Sequence, residues 1–311
     1  MFKNIFSFST LLTLPVALMS AGCSQNEPAA EIIPEQSSPA EQTTKTSAVF
    51  QSDMDADILE GMSIVFEDDF EGDSSIPDQS LWELCPKGDS NWARYLSESY
   101  QQAYQKDGYL YLVAEKVDGE YKTAGIQTRS KFEFTYGVVE CRARFLRRPQ
   151  GNHTGIWMMP APPALQWPKS GEIDIMEHLN KEEKVFETVH SWYADDMGHK
   201  DDPSAQGTAS IDNEDWNTYG LIWTENEITF TVNGVKHHSY PNLNLGGETG
   251  AYQWPFSHPF YLILSQSLGG EGTWAGVIDD SELPAIFQID WIRVYQDDKK
   301  PSSSVPKILP D

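Results

Sequence analysis

Three carboxylates, Glu172, Asp174 and Glu177, fall within the eight residues GEIDIMEH, Gly171 to His178, among Ile173, Ile175 and Met176. Acids this crowded repel one another, so their proton affinities must separate and one tends to keep its proton near neutrality. An ionised acid beside a protonated one is the pair that cleaves a glycosidic bond. On a β-strand Glu172 and Asp174 share one face, and Ile173 and Ile175 take the other. Glu177 is an odd five positions from Glu172 and would face away. One β-bulge between Asp174 and Glu177 returns it to the face of the other two. Residues two apart on a strand are about 6.5–7 Å apart at Cα. The bulge then allows Glu172 and Glu177 the ~5–5.5 Å carboxyl separation of retaining glycosidases. Two other uses of such a run are a solvated strand face and calcium ligation, which wants a glycine-containing loop and more oxygen donors.

The elements that must position these acids read as strands. SIVFEDDF, GYLYLVAEKV, GVVECRARF, TYGLIWT, ITFTVNG, PFYLILSQSL and FQIDWIRVYQ recur between turn signals, and Asn233-Gly234 marks a hairpin. No long segment has a helical period. The pattern predicts an all-β fold, a β-jelly-roll sandwich of two antiparallel sheets, over residues 62–297.

The ends of the chain differ from this body. Lys3, an apolar stretch from Ile5 to Leu18 and the small residues before Cys23 read as a signal peptide over 1–22. Ser-Ala-Gly-Cys resembles a bacterial lipobox, with Ser20 where leucine is commonest. Lipidation of Cys23 would anchor the protein to the cell envelope, at the outer membrane or cell surface, without spanning a membrane. Simple secretion after a cut near Ala21 is the alternative. Residues 23–61 are rich in Glu, Pro, Ser and Thr and are expected to form a disordered tether; 298–311 read as a flexible tail.

The chain of 311 residues carries 22 Lys+Arg against 47 Asp+Glu, a net charge of −25. Its densest basic cluster, Arg142, Arg144, Arg147 and Arg148, lies in strand-like context without a series of stacking aromatics, so nucleic acid is not an expected partner. Cys85 and Cys141 read as free buried thiols, with a bridge between them left open. No zinc motif is present. Nothing demands more than a monomer.

The wider sequence resembles glycoside hydrolase family 16, in its bulged, laminarinase-like branch. The resemblance runs from Ile64 to Gln296 through VFEDDF, TAGIQTRSKFEFTYGVVECRARF, GIWMMP, the acid triplet, VHSWY, WNTYGLIWTENEITFTVNG and IDWIRVYQ. It implies a jelly roll with a concave substrate cleft and a retaining endo-hydrolase of β-linked glycans. Glu172 is then the nucleophile, Glu177 the general acid/base and Asp174 the partner of the nucleophile. Trp157, Trp192, Trp274, His190 and Gln266 sit at positions similar to family subsites, with Arg129 as a further cleft residue. Trp82, Trp216, Trp223 and Trp291 read as structural. No cofactor is required, although family members often hold a structural calcium, which makes Glu67 and Asp290 candidate ligands. GTWAGVIDDSELP resembles the branch that cleaves O-glycans internally at β-galactosyl bonds. The expected substrate is therefore a mucin-type O-glycan or poly-N-acetyllactosamine chain. An endo-β-1,3-glucanase comes second, agar- or carrageenan-like galactans third, and a surface glycan-binding lectin is the reading from another class.

Overall fold

The computed structural model describes residues 52–164 and 166–300. The proposed signal peptide, Cys23, most of the tether and nearly all of the tail lie outside the described residues.

The described strands are β1 (Met62–Asp68), β2 (Glu83–Leu84), β3 (Ala103–Lys106), β4 (Tyr109–Val117), β5 (Glu120–Lys122), β6 (Ala124–Gln127), β7 (Gly137–Arg147) and β8 (Asn152–Pro160). They continue as β9 (Glu172–Leu179), β10 (Lys184–His190), β11 (Gln206–Ser210), β12 (Asn217–Trp223), β13 (Glu227–Val232), β14 (Val235–Pro241), β15 (Phe260–Leu268) and β16 (Ala285–Asp297). Two short helices, α1 (Trp192–Asp195) and α2 (Gly247–Gln253), follow β10 and β14.

The strands form two antiparallel sheets. One runs β11-β10-β9-β8-β15-β6-β2; the other runs β14-β13-β12-β7-β16-β4-β3, with β1 on β16 and β5 on β4. Their facing sides enclose the main core, which holds Trp82, Phe134, Trp223, Phe260 and Phe287. The expected Asn233-Gly234 hairpin joins β13 to β14, with both turn residues at positive φ (51° and 75°), the backbone that a two-residue turn between twisted strands requires. Cys85 and Cys141 are both free and buried.

Strand β9 crosses the middle of the seven-stranded sheet. Ile173, Ile175 and Met176 enter the core and are at most 1% exposed. Burying each contributes about 1.5–3 kcal/mol. A one-residue slip would trade them for the acids, so the core fixes the register that positions the site.

The packed domain begins before Met62. Residues 52–61, read from composition as tether, lie against the nine-stranded sheet. Met54 is buried beside Val138 and Tyr295, joined by Ile58 and Leu59. Glu140 accepts from Ser52 Oγ (2.6 Å) and from the Met54 backbone N–H (3.2 Å). The hairpin glycine Gly234 admits this strap: a Cβ there would stand 2.0 Å from the Asp53 carbonyl oxygen.

Candidate active site

The expected bulge is present in the pairing on both sides of β9. Against β8, Gly155 pairs with Glu177 and Trp157 with Asp174; against β10, Phe186 pairs with Glu177, Thr188 with Asp174 and His190 with Glu172. One more residue separates Asp174 from Glu177 than separates their partners. Glu172, Asp174 and Glu177 therefore share the sheet face that points away from the core.

The three acids sit in different surroundings. Asp174 is 3% exposed and sits lowest. Burial, followed by the charges of Glu177 and Glu172, pushes its carboxyl well above the usual carboxylate range. A neutral Asp174 would donate to Glu172, and such a bond favours the ionised form of Glu172. Burial also raises Glu172, with the Glu177 charge adding to it, while the His190 charge, the Trp167 indole and Asp174 oppose the rise. Trp167 Nε1 donates to Glu172 Oε2 at 2.5 Å. Glu177 Oε1 lies 2.9 Å from His153 Nε2 on β8.

His190 ties the acids to α1. Its Nε2 lies 3.4 Å from Asp174 Oδ2, and its Nδ1 lies 3.1 Å from Asp195 Oδ2. Burial alone would lower the imidazole; the bond to Asp195 and the charges of Glu172, Asp195 and Glu177 outweigh it and raise the value. Asp195 is itself fixed by the Ser191 backbone N–H at 3.1 Å. Glu172, Asp174 and His190 place ligand atoms within 4.8 Å of one another, which is compact enough for a cation. Trp167 donates to Glu172 and Asp195 pairs with His190, while Asp174 Oδ2 is buried without a hydrogen-bond partner among the described residues.

Aromatic side chains border the acids at both ends. Trp274 is 50% exposed and lies edge-on to His153 and Phe186, with ring centroids 5.9 and 4.7 Å apart. Trp167 is 53% exposed beside Glu172, and its ring centroid is 5.7 Å from that of His190. Trp157 lies between them on β8, 7% exposed, with its Nε1 donating to Ser265 Oγ at 3.1 Å and its ring edge-on to Trp92. Flat, rigid indoles suit the C–H faces of sugars.

The other sequence-predicted residues divide. Trp192 opens α1 next to His190, with Lys169 Nζ 4.5 Å from its ring centroid. Arg129 lies near Tyr261, whose hydroxyl it pulls down against burial. Gln266 is not in the group. It pairs with Thr154 on the core side of β15, is fully buried, and accepts from Thr154 Oγ1 (2.9 Å) while donating to Asn152 Oδ1 (2.5 Å). Its amide serves a buried polar knot. Glu67 and Asp290 do not form a bare pair for calcium: Arg293 Nε donates to Glu67 Oε1 at 2.6 Å, and Arg142 pairs with Asp290. Each carboxylate already faces a guanidinium cation. Trp82, Trp223 and Trp291 are buried as expected, and Trp216 lies under Arg142 and Arg144.

The sequence profile described as Glycosyl hydrolases family 16 matches residues 89–293. The chain belongs to this family. Among curated relatives, the keratan-sulfate endo-1,4-β-galactosidase of Sphingobacterium multivorum is 35% identical over 240 residues, covering 75% of this chain and 55% of that protein. The chain thus spans about half of that relative's length. The β-glucanase of Rhodothermus marinus is 32% identical over 249 residues, covering 75% of this chain and 85% of its own. A solved structure from work on endo-acting O-glycanases of the human gut microbiota, which initiate mucin breakdown, superposes with a TM-score of 0.67. It is 34% identical and covers 75% of this chain and 98% of that one.

Within this family-16 chain, sequence reasoning missed Trp167, His153 and Asp195. Trp167 lies in a proline-rich loop that reads as a breaker, yet its place five residues before Glu172 was a usable signal. His153 and Asp195 come from neighbouring elements, and their contacts with the acids follow from sheet pairing.

Proposed function

We propose that the chain is a retaining endo-glycoside hydrolase, with Glu172 as nucleophile and Glu177 as general acid/base. The observation that carries this reading is the bulge: it sets three acids of unequal burial on one face of β9, between Trp167 and Trp274. In the first step Glu172 bonds to the anomeric carbon as the glycosidic C–O bond breaks, and Glu177 gives its proton to the leaving oxygen. In the second, Glu177 takes a proton from water, the water oxygen bonds to the anomeric carbon, and the ester to Glu172 breaks. Asp174, neutral and donating, steadies Glu172 while it is ionised.

The substrate we favour is the internal β-galactosyl bond of mucin-type O-glycans or poly-N-acetyllactosamine. What supports it is the similarity to the keratan-sulfate endo-1,4-β-galactosidase and to the mucin O-glycanase structure. Laminarin-like β-glucan is the second reading, supported by the similarity to the Rhodothermus β-glucanase. We further propose lipidation of Cys23 and anchoring at the bacterial cell envelope, which would hold the enzyme where large glycans arrive.

The test incubates residues 24–311, beside the Glu172→Gln variant, with desialylated mucin O-glycans and with laminarin, reading products by mass spectrometry. Oligosaccharides with reducing-end galactose, released from mucin by the wild type alone, are expected. Glucose oligomers from laminarin alone would overturn the galactosidase reading and keep the mechanism. No product from either, with ligand binding unchanged in the variant, would point to a lectin.

A further inference from the structure

We infer that His153 is a positioning residue for Glu177: it holds one carboxyl oxygen and leaves the other as the one that moves the proton. The inference rests on the role proposed for Glu177.

The sheet creates the opportunity. Gly155 lies directly across from Glu177 on β8, and with no side chain of its own it leaves room that the edge of the Trp157 indole occupies. A Cβ there would come within 3.0 Å of Trp157 Cδ1. His153 and Trp157 flank Gly155 on the same face of β8, since alternate residues of a strand share a face. From its neighbouring register position, His153 reaches diagonally to Glu177 Oε1, at 2.9 Å. Both side chains are largely enclosed, 24% and 16% exposed. Trp274 braces the pair, with its ring against His153 on one side and Phe186 on the other. Phe186 is the residue paired with Glu177 on β10. The carboxylate is thus walled by an imidazole and two aromatic rings. Its Oε2 takes no hydrogen bond from another described residue and remains for the glycan.

The chemistry follows from this asymmetry. With Nε2–H donating to Oε1, the transferable proton resides on Oε2. When Oε2 gives it to the glycosidic oxygen, negative charge grows on the carboxyl group and the N–H···Oε1 bond strengthens, as charge-assisted bonds do. The bond is therefore stronger in the transition state than in the ground state, which is the condition for it to raise the rate. On the return step Oε2 recovers the proton from water.

The experiment compares wild type, His153→Phe and His153→Gln on two substrates with the same sugar. One is an oligosaccharide, whose leaving group needs a proton. The other is a 2,4-dinitrophenyl glycoside, whose leaving group needs none. The expected result for His153→Phe is a fall in kcat/KM of about 10–100-fold on the oligosaccharide, the range of a general-acid contribution. On the aryl glycoside the change stays within about threefold. Glutamine, which also offers an N–H, restores most of the loss. Equal losses on both substrates, or none on either, overturn the inference. If the wild type cleaves neither substrate, the proposed function falls instead. A crystal structure of His153→Phe then decides the positioning role by itself. Rotation of the Glu177 carboxyl from its wild-type orientation supports it; an unmoved carboxyl overturns it.

Discussion

Asp174 is the residue whose chemistry departs furthest from its type. Burial and two neighbouring carboxylates push its pKa well above the usual carboxylate range, the condition under which it would donate a hydrogen bond to Glu172. Asparagine is neutral, nearly isosteric and also a donor. Asp174→Asn is therefore expected to retain more kcat/KM than Asp174→Ala, by about tenfold, the worth of one buried hydrogen bond of roughly 1.4 kcal/mol. Steady-state kinetics on the cleaved glycan check this; equal loss in the two variants would mean that Asp174 acts as an anion. Asp195 offers a second test. It fixes the His190 ring from the side opposite the acids and helps keep it charged. Asp195→Asn should lower the pH at which His190 titrates, read by NMR of the imidazole, and so remove a positive charge from beside Glu172 near neutrality.

At the scale of elements, the strap over the nine-stranded sheet and the bulge in β9 differ in how far sequence revealed them. The strap was not legible. Residues 52–61 resemble tether in composition, and what ties them to the domain is the packing of Met54, Ile58 and Leu59, the pairing of Ser52 with Glu140 and the bond from Thr218 to Asp53. A chain starting at Met62 leaves Glu140, otherwise 1% exposed, without these donors and uncovers the Met54 site. Such a truncation is expected to cost about 2–4 kcal/mol, read as a lower midpoint in urea unfolding; an unchanged midpoint would show that the strap merely rests on the sheet. The bulge was legible because three apolar residues, Ile173, Ile175 and Met176, and three acids cannot be sorted to two faces by strict alternation. Gln266 was misplaced for the opposite reason. All nine residues of β15 are buried, so alternation carries no mark of which face meets substrate, and a polar residue on the core side looks like one on the glycan side. The two sheets themselves were legible from their turn signals, while the order of strands, set by pairing between distant segments, was not.

Across the whole molecule, buried acids decide how stability follows pH. Glu187 lies on the core side of β10, fully buried, with neither oxygen hydrogen-bonded. Burial lifts its pKa from 4.5 to about 8. Asp68 is lifted from 3.8 to about 6, chiefly by burial and against the opposing bonds from Phe70 and Trp82. Burial also raises Glu140 and Glu172. For each, the unfolded chain releases its proton at lower pH than the folded chain does. Between those two values the unfolded state binds fewer protons, so stability falls as pH rises, through a window of about 4.5 to 8 for Glu187. His190, raised in the fold, acts in the same direction, and Asp195, lowered, acts against it. Self-repulsion adds to the trend, because a chain of net charge −25 at neutrality gains negative charge as pH rises. The melting temperature should therefore be highest at mildly acidic pH and fall towards pH 8. Added salt should recover part of the loss by screening the surface. It should recover little of the part due to Glu187, whose charge would form inside the core. Glu187→Gln should flatten the decline between roughly pH 5 and 8 while leaving the melting temperature near pH 4.5 closer to wild type. Calorimetry across that range decides it: a variant curve parallel to wild type would mean that Glu187 ionises freely in the folded protein.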